Sequence, residues 1–80
     1  MFWHIKNAMR LKSAFMRDAL ERNGFTQESL AARLEMSTTT VNAAVNGKSV
    51  HTETGVRICA QLGVELADAM VSRMESNDAA

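Results

Sequence analysis

Eighty residues with 46% apolar side chains make one small domain, and that apolar share argues against disorder over most of the chain. The single cysteine, Cys59, excludes an intramolecular disulfide, and no apolar run approaches the roughly 20 residues that cross a membrane. Formal net charge is zero, which at first disfavours a nucleic-acid partner, but the charges are unevenly laid out.

Residues 1–50 carry seven basic side chains (Lys6, Arg10, Lys12, Arg17, Arg22, Arg33, Lys48) against four acidic ones (Asp18, Glu21, Glu28, Glu35), a balance of +3. Residues 51–80 carry Arg57 and Arg73 against Glu53, Glu65, Asp68, Glu75 and Asp78, a balance of −3. Three charges are a weak bias, compatible with scatter. Read functionally, they make a basic half that meets an anionic partner and an acidic half turned away from it. The lone thiol, and a first ten residues too short and polar for a secretory leader, lead to the expectation of a reducing cytoplasm.

No proline and only four glycines leave little to interrupt a helix. After an N-terminal arm over residues 1–10, Leu11, Ala14, Phe15, Ala19 and Leu20 keep one face of a helix over 11–23, with Arg17, Asp18, Glu21 and Arg22 opposite. Gly24 sits where such a helix ends in a left-handed residue. Thr26 can cap a second helix carrying Leu30, Ala31 and Leu34. Ser37 can cap a third carrying Val41, Ala44 and Val45, which Asn46-Gly47 stops. Both are too short to persist alone and must pack against the rest. Beyond a loop over 48–51, Thr52 can cap a fourth helix bearing Val56, Cys59, Ala60 and Leu62, ended by Gly63. Leu66, Met70 and Met74, four apart with Ala67 and Val71 beside them, suggest a fifth, and residues 76–80 read as a frayed tail. The expected architecture is all-α: a compact bundle of about five short helices over residues 11–75.

The run from Thr26 to Lys48, TQESLAARLEMSTTTVNAAVNGK, closely resembles the helix-turn-helix of the lambda-repressor and Cro-like family of DNA-binding proteins. Leu62-Gly63-Val64 followed by Leu66 is similar to that family's closing helices, so the resemblance covers residues 11–74. Two helices crossing at about 90–120° over a tight turn must approach closely. Ala31 supplies the small residue at the crossing, Leu30 and Leu34 anchor the first helix, Met36 plugs the turn, and Val41 with Ala44 or Val45 anchors the second. Two positions depart from the pattern. Glu35 stands where the family has a turn glycine, at a penalty of about 1 kcal/mol or more for a left-handed non-glycine. Ala44 is smaller than the usual aliphatic residue, which leaves Val45 or Met36 to fill the space.

The resemblance implies a recognition helix over residues 38–46 lying in the DNA major groove, with Thr38, Thr39 and Asn42 reading bases. An asparagine amide can pair both edges of an adenine, and threonines can bond several bases or touch a thymine methyl. No arginine on this helix grips a guanine, so discrimination should be moderate. Gln27 is expected to hold a phosphate or buttress the recognition helix. Ser37, Asn46, Gly47 and Lys48 are expected to meet the DNA backbone, the last three through lysine charge and exposed loop amides. Arg10, Lys12, Arg33 and His51 are further backbone candidates, each equally readable as an ordinary surface residue. The three threonines, taken alone, could be capping chemistry and nothing more.

One such domain covers one half-site, so a homodimer on an inverted repeat with half-sites about 34–36 Å apart is expected. Apolar surface at Leu66, Met70, Val71 and Met74, or at Phe2, Trp3 and Ile5, is the candidate interface; the plain alternative folds both ends back on one core. The function read first is a transcriptional repressor of the phage, plasmid or restriction-control type, since 80 residues leave no room for an effector domain. An antitoxin or other module that neutralises a partner protein is the alternative. An enzyme, a cofactor and a small-molecule substrate are not expected. His4 and His51 lack neighbours at metal-ligand spacing, no glycine loop cradles phosphate, the six methionines read as gap fillers, and Cys59 reads as a core thiol.

Overall fold

A computed structural model describes residues 8–71 of the chain. In order these form β1 (Ala8–Met9), α1 (Ser13–Arg22), α2 (Gln27–Leu34), α3 (Thr38–Val45), β2 (Val50–His51), α4 (Thr52–Leu62) and α5 (Leu66–Ala69). Five helices enclose one core, in which Leu11, Met16, Leu30, Val41, Val45 and Ile58 are fully buried.

The chain before α1 is stitched into this core. Ala8 pairs with His51 and Met9 with Val50 in an antiparallel ladder. Leu11 then bridges to Met70, while the Lys12 N–H donates to the Ala69 carbonyl (2.6 Å) and the Val71 N–H to the Arg10 carbonyl (2.8 Å). Residues 8–10, read from sequence as the end of an arm, thus lie between β2 and the segment after α5. These bonds hold residues 11 and 12 extended, which is why α1 starts at Ser13. Its buried face is Met16, Ala19 and Leu20, whereas Ala14 is exposed. The Asn23 side chain donates to the carbonyls of Ala19 (2.8 Å) and Leu62 (3.1 Å) and so joins the far ends of α1 and α4.

Three expectations for the C-terminal half are corrected. His51, with no side-chain bond, is the cap of α4, and Thr52 is its first helical residue. The buried face of α4 is Gly55, Ile58, Cys59 and Leu62, with Val56 44% exposed and Ala60 also outside. Met9 packs onto this face: its thioether lies where a side chain on residue 55 would stand, so a larger residue there would have to push the Met9 side chain aside. The fifth helix ends at Ala69, because Met70 (φ −88°, ψ 148°) is extended against Leu11. Leu66 and Met70 therefore share no long helical stripe, and Met74 lies outside the described residues. Cys59 is buried, and burial pushes its thiol pKa up, which keeps the sulfur protonated and unreactive.

Between α2 and α3 the backbone turns at Glu35, which has φ 58° and ψ 44°. The Glu35 N–H donates to the Ala32 carbonyl (3.2 Å) and the Met36 N–H to that of Ala31 (3.0 Å), closing the end of α2. Among the described residues it is the only non-glycine with positive φ. Glu35→Gly removes the left-handed penalty and returns part of the gain as unfolded-chain entropy. A net stabilisation of about 0.5–1 kcal/mol is expected, read as a rise in melting temperature of about 2–8 °C; an unchanged or lower value would show that the turn carries no strain.

Candidate nucleic-acid interface

α2 is launched by reciprocal bonds: the Thr26 hydroxyl oxygen accepts from the Ser29 N–H (3.0 Å), and the Ser29 oxygen from the Thr26 N–H (2.9 Å). Its buried residues Leu30, Ala31 and Leu34 meet Val41, Ala44 and Val45 of α3 in the common core. Ala31 is the small residue that allows this approach. The short side chain of Ala44 leaves no exposed gap, since Ala44 and Val45 are both fully buried and Met36 packs on the same cluster. From the other side, the Arg57 guanidinium donates to the Leu34 carbonyl (2.6 Å) and fixes the end of α2 to α4.

The three threonines that open α3 divide into two roles. Ser37 accepts a bond from the Thr40 N–H (3.1 Å), and the hydroxyls of Ser37 and Thr40 bond each other (2.9 Å). Thr40 therefore completes the cap and is half-buried, while Thr38, Thr39 and Asn42 are exposed. The Asn42 amide nitrogen donates to the Gln27 side-chain oxygen at 2.8 Å. That bond is the geometry of a buttress, the second of the two roles expected for Gln27. It leaves Asn42 with a free carbonyl oxygen and one remaining N–H, the acceptor and donor that an adenine edge requires.

Next to this face is a shallow depression of about 290 Å³, with Thr39, Thr40 and Ala43 on one wall and Val50, His51 and Thr54 on the other. The Thr40 hydroxyl is already engaged by Ser37, so Thr40, Ala43 and Val50 bring mainly hydrocarbon to it.

The loop after α3 differs from expectation. The N–H groups of Asn46, Gly47 and Lys48 donate to the carbonyls of Asn42 (3.0 Å), Ala44 (3.3 Å) and Ala43 (2.9 Å). All three amides close the helix, so none is left exposed for a phosphate. Gly47, at φ +80°, folds the chain back tightly, and a Cβ there would stand 3.4 Å from the Leu11 carbonyl oxygen. Lys12 and Lys48, both exposed, are thereby each one residue from the same close contact. What remains polar at this end of α3 is side chains. The Asn46 oxygen accepts from the Arg17 guanidinium, whose Nε also donates to the Ser13 hydroxyl (3.3 Å). The tie of Arg17 to the end of α3 is invisible in the sequence because its partner lies 29 positions along the chain.

The remaining candidates are less closely tied to α3. Arg33 stands over the Phe25 ring, 5.8 Å from its centre. Arg10 and His51 are exposed, and His51 belongs to the β1–β2 ladder. Of the apolar set considered for self-association, Leu66 and Met70 pack partly on the core and Val71 is half-buried. Phe2, Trp3 and Met74 lie outside the described residues. Among the described residues no three His, Cys, Asp or Glu side chains cluster as metal ligands, and no helix is long and apolar enough to cross a membrane.

A family model described as helix-turn-helix matches residues 16–69, from within α1 to the end of α5. No curated protein and no solved structure matches the chain. Because Ser37 holds both the backbone and the side chain of Thr40, Ser37→Ala should cost about 1 kcal/mol of stability in urea unfolding. A loss confined to a few tenths would mean that the cap does not position α3.

Proposed function

Since this chain belongs to the lambda-repressor/Cro-like helix-turn-helix family of DNA-binding regulators, we propose that it reads a specific duplex site with α3 and represses transcription by occluding a promoter there. One observation carries the reading: Thr38, Thr39 and Asn42 are exposed together on α3, and Asn42 is held in place by Gln27. A side chain fixed before binding loses less rotamer freedom when it meets a base.

In this reading Asn42 pairs with an adenine, and Thr38 and Thr39 bond neighbouring base edges. The depression beside Thr39 takes the methyl of a thymine. Lys48 and the free amide N–H groups of Gln27 meet phosphates. An eight-residue helix covers only a few base pairs, so two copies bind an inverted repeat. Sedimentation of the protein with its selected duplex should give two chains per site, and one chain per site would remove the dimer while leaving the recognition helix in place.

Selection of bound sites from random DNA tests the whole reading, because it reports sequence, symmetry and spacing together. On the selected site, Asn42→Ala should cost about 1–3 kcal/mol and relax preference at one base pair. Sequence preference unchanged by that substitution would place the reading face elsewhere. Lys48→Ala should instead weaken all duplexes alike and lower the slope of log affinity against log salt by about one unit. Replacing thymines by uracil one at a time should weaken binding at the position facing Ala43; indifference at every position would exclude the methyl contact.

A further inference from the structure

We infer that Arg17 of α1 and Asn46 at the end of α3 form a two-part clamp for one phosphodiester of the DNA backbone. The inference deepens the DNA-binding reading above and rests on it. Nothing in the local sequence around Arg17 marks it out, and its role follows from what its neighbours leave unsatisfied.

Arg17 donates to two neutral oxygens, those of Ser13 and Asn46. The nearby carboxylate of Asp18 is engaged elsewhere, 2.8 Å from Arg22. Arg17 thus keeps its full positive charge while its planar group is held in one orientation. A guanidinium has five N–H donors, so three remain after these two bonds. Asn46 is changed by the same contact. Its side-chain oxygen is occupied by Arg17, so what the amide has left to offer is its NH2 group. Together the two residues offer several donors and no acceptor. The ligand that fits is an anion with more than one oxygen, and a phosphodiester satisfies that with its two unesterified oxygens.

Position selects the DNA backbone over a free anion. Asn42 and Asn46 are four residues apart, which puts them on one face of the α3 turn that carries the base-reading amide. The clamp therefore sits one turn beyond that amide, where a helix leaving the major groove crosses a sugar–phosphate strand. Lys12 and Lys48, flanking the contact between Gly47 and Leu11, add positive charge at the same end.

The test uses the full chain with its selected duplex and with a scrambled duplex, across a range of salt. Arg17→Gln should weaken both by a similar factor. The wild-type advantage should shrink about three- to fourfold between about 50 and about 200 mM salt, since one lost phosphate contact lowers the slope by about 0.9. Arg17→Lys should keep the slope while losing part of the affinity, because it retains charge without the fork. Ethylation of individual phosphates should reveal one position that blocks the wild type and is indifferent to Arg17→Gln. Asn46→Asp, which leaves Arg17 in place and adds an opposing carboxylate, should lower the slope too and keeps the test open should Arg17→Gln fold poorly. Weaker binding with the slope and the ethylation pattern unchanged would make Arg17 a strut for α3 and overturn the clamp. A wild type with no salt-sensitive duplex binding would overturn the DNA-binding reading itself, and the clamp with it.

Discussion

Where α2 ends, the chain must reverse within three residues and still let α3 lie close enough for Ala31, Val41 and Ala44 to share one core. The left-handed backbone at Glu35 makes that possible. It brings the N–H groups of residues 35 and 36 onto α2 carbonyls and aims the next residue, Ser37, along the axis of α3. A right-handed residue there would carry the chain onward as helix and separate the two apolar faces. The exposure of Thr38, Thr39 and Asn42 follows from the same turn, because the opposite face of α3 is committed to the core.

An eight-residue helix is far below the length that is stable in isolation, so α3 must be held from outside. Each part of it is held by a different group. Ser37 fixes its first turn through Thr40, Gln27 of α2 grips Asn42, and Arg17 of α1 grips Asn46. All three are polar and lie outside the apolar face, so they constrain orientation where Val41, Ala44 and Val45 fix depth. The cost of immobilising these side chains is met during folding, and less remains to be lost on binding.

The parts of this architecture legible in the sequence were those written locally. Caps at Thr26 and Ser37, the stop at Asn46-Gly47 and the apolar spacing of Leu30, Leu34, Val41 and Val45 each act within a few residues, and α2 and α3 fell within a residue or so of their expected bounds. What escaped depends on contacts across the chain. The β1–β2 ladder is two residues long on each side and has no periodicity to detect. On α4, Met9 fills the space beside Gly55, a pairing 46 residues apart, and Val56 looked equally suitable for burial by spacing alone. α5 was read too long because Leu66, Met70 and Met74 repeat every four residues, while Met70 is drawn into an extended bridge with Leu11. On α3 the exposed set Thr38, Thr39 and Asn42 was legible from the motif, and the Arg17–Asn46 contact was not. The loop amides at 46–48 were misjudged because their use in closing α3 depends on the fold-back at Gly47.

A net charge of zero is compatible with a nucleic-acid interface once the placement of basic groups among the described residues is considered. Arg22 is paired with Asp18, Arg57 is tied to the Leu34 carbonyl, and Arg33 lies over Phe25. Lys12, Arg17 and Lys48 lie instead near the end of α3, the negative end of its helix dipole, which favours positive charge. Charges in water are screened beyond about 8–10 Å, so a phosphate approaching the end of α3 responds most to the charges nearest it. Contacts of such charges with phosphate position the protein and carry no sequence information. In the reading proposed above, discrimination falls on the amide and hydroxyls of α3, and of these the Asn42 amide is held from α2 by Gln27.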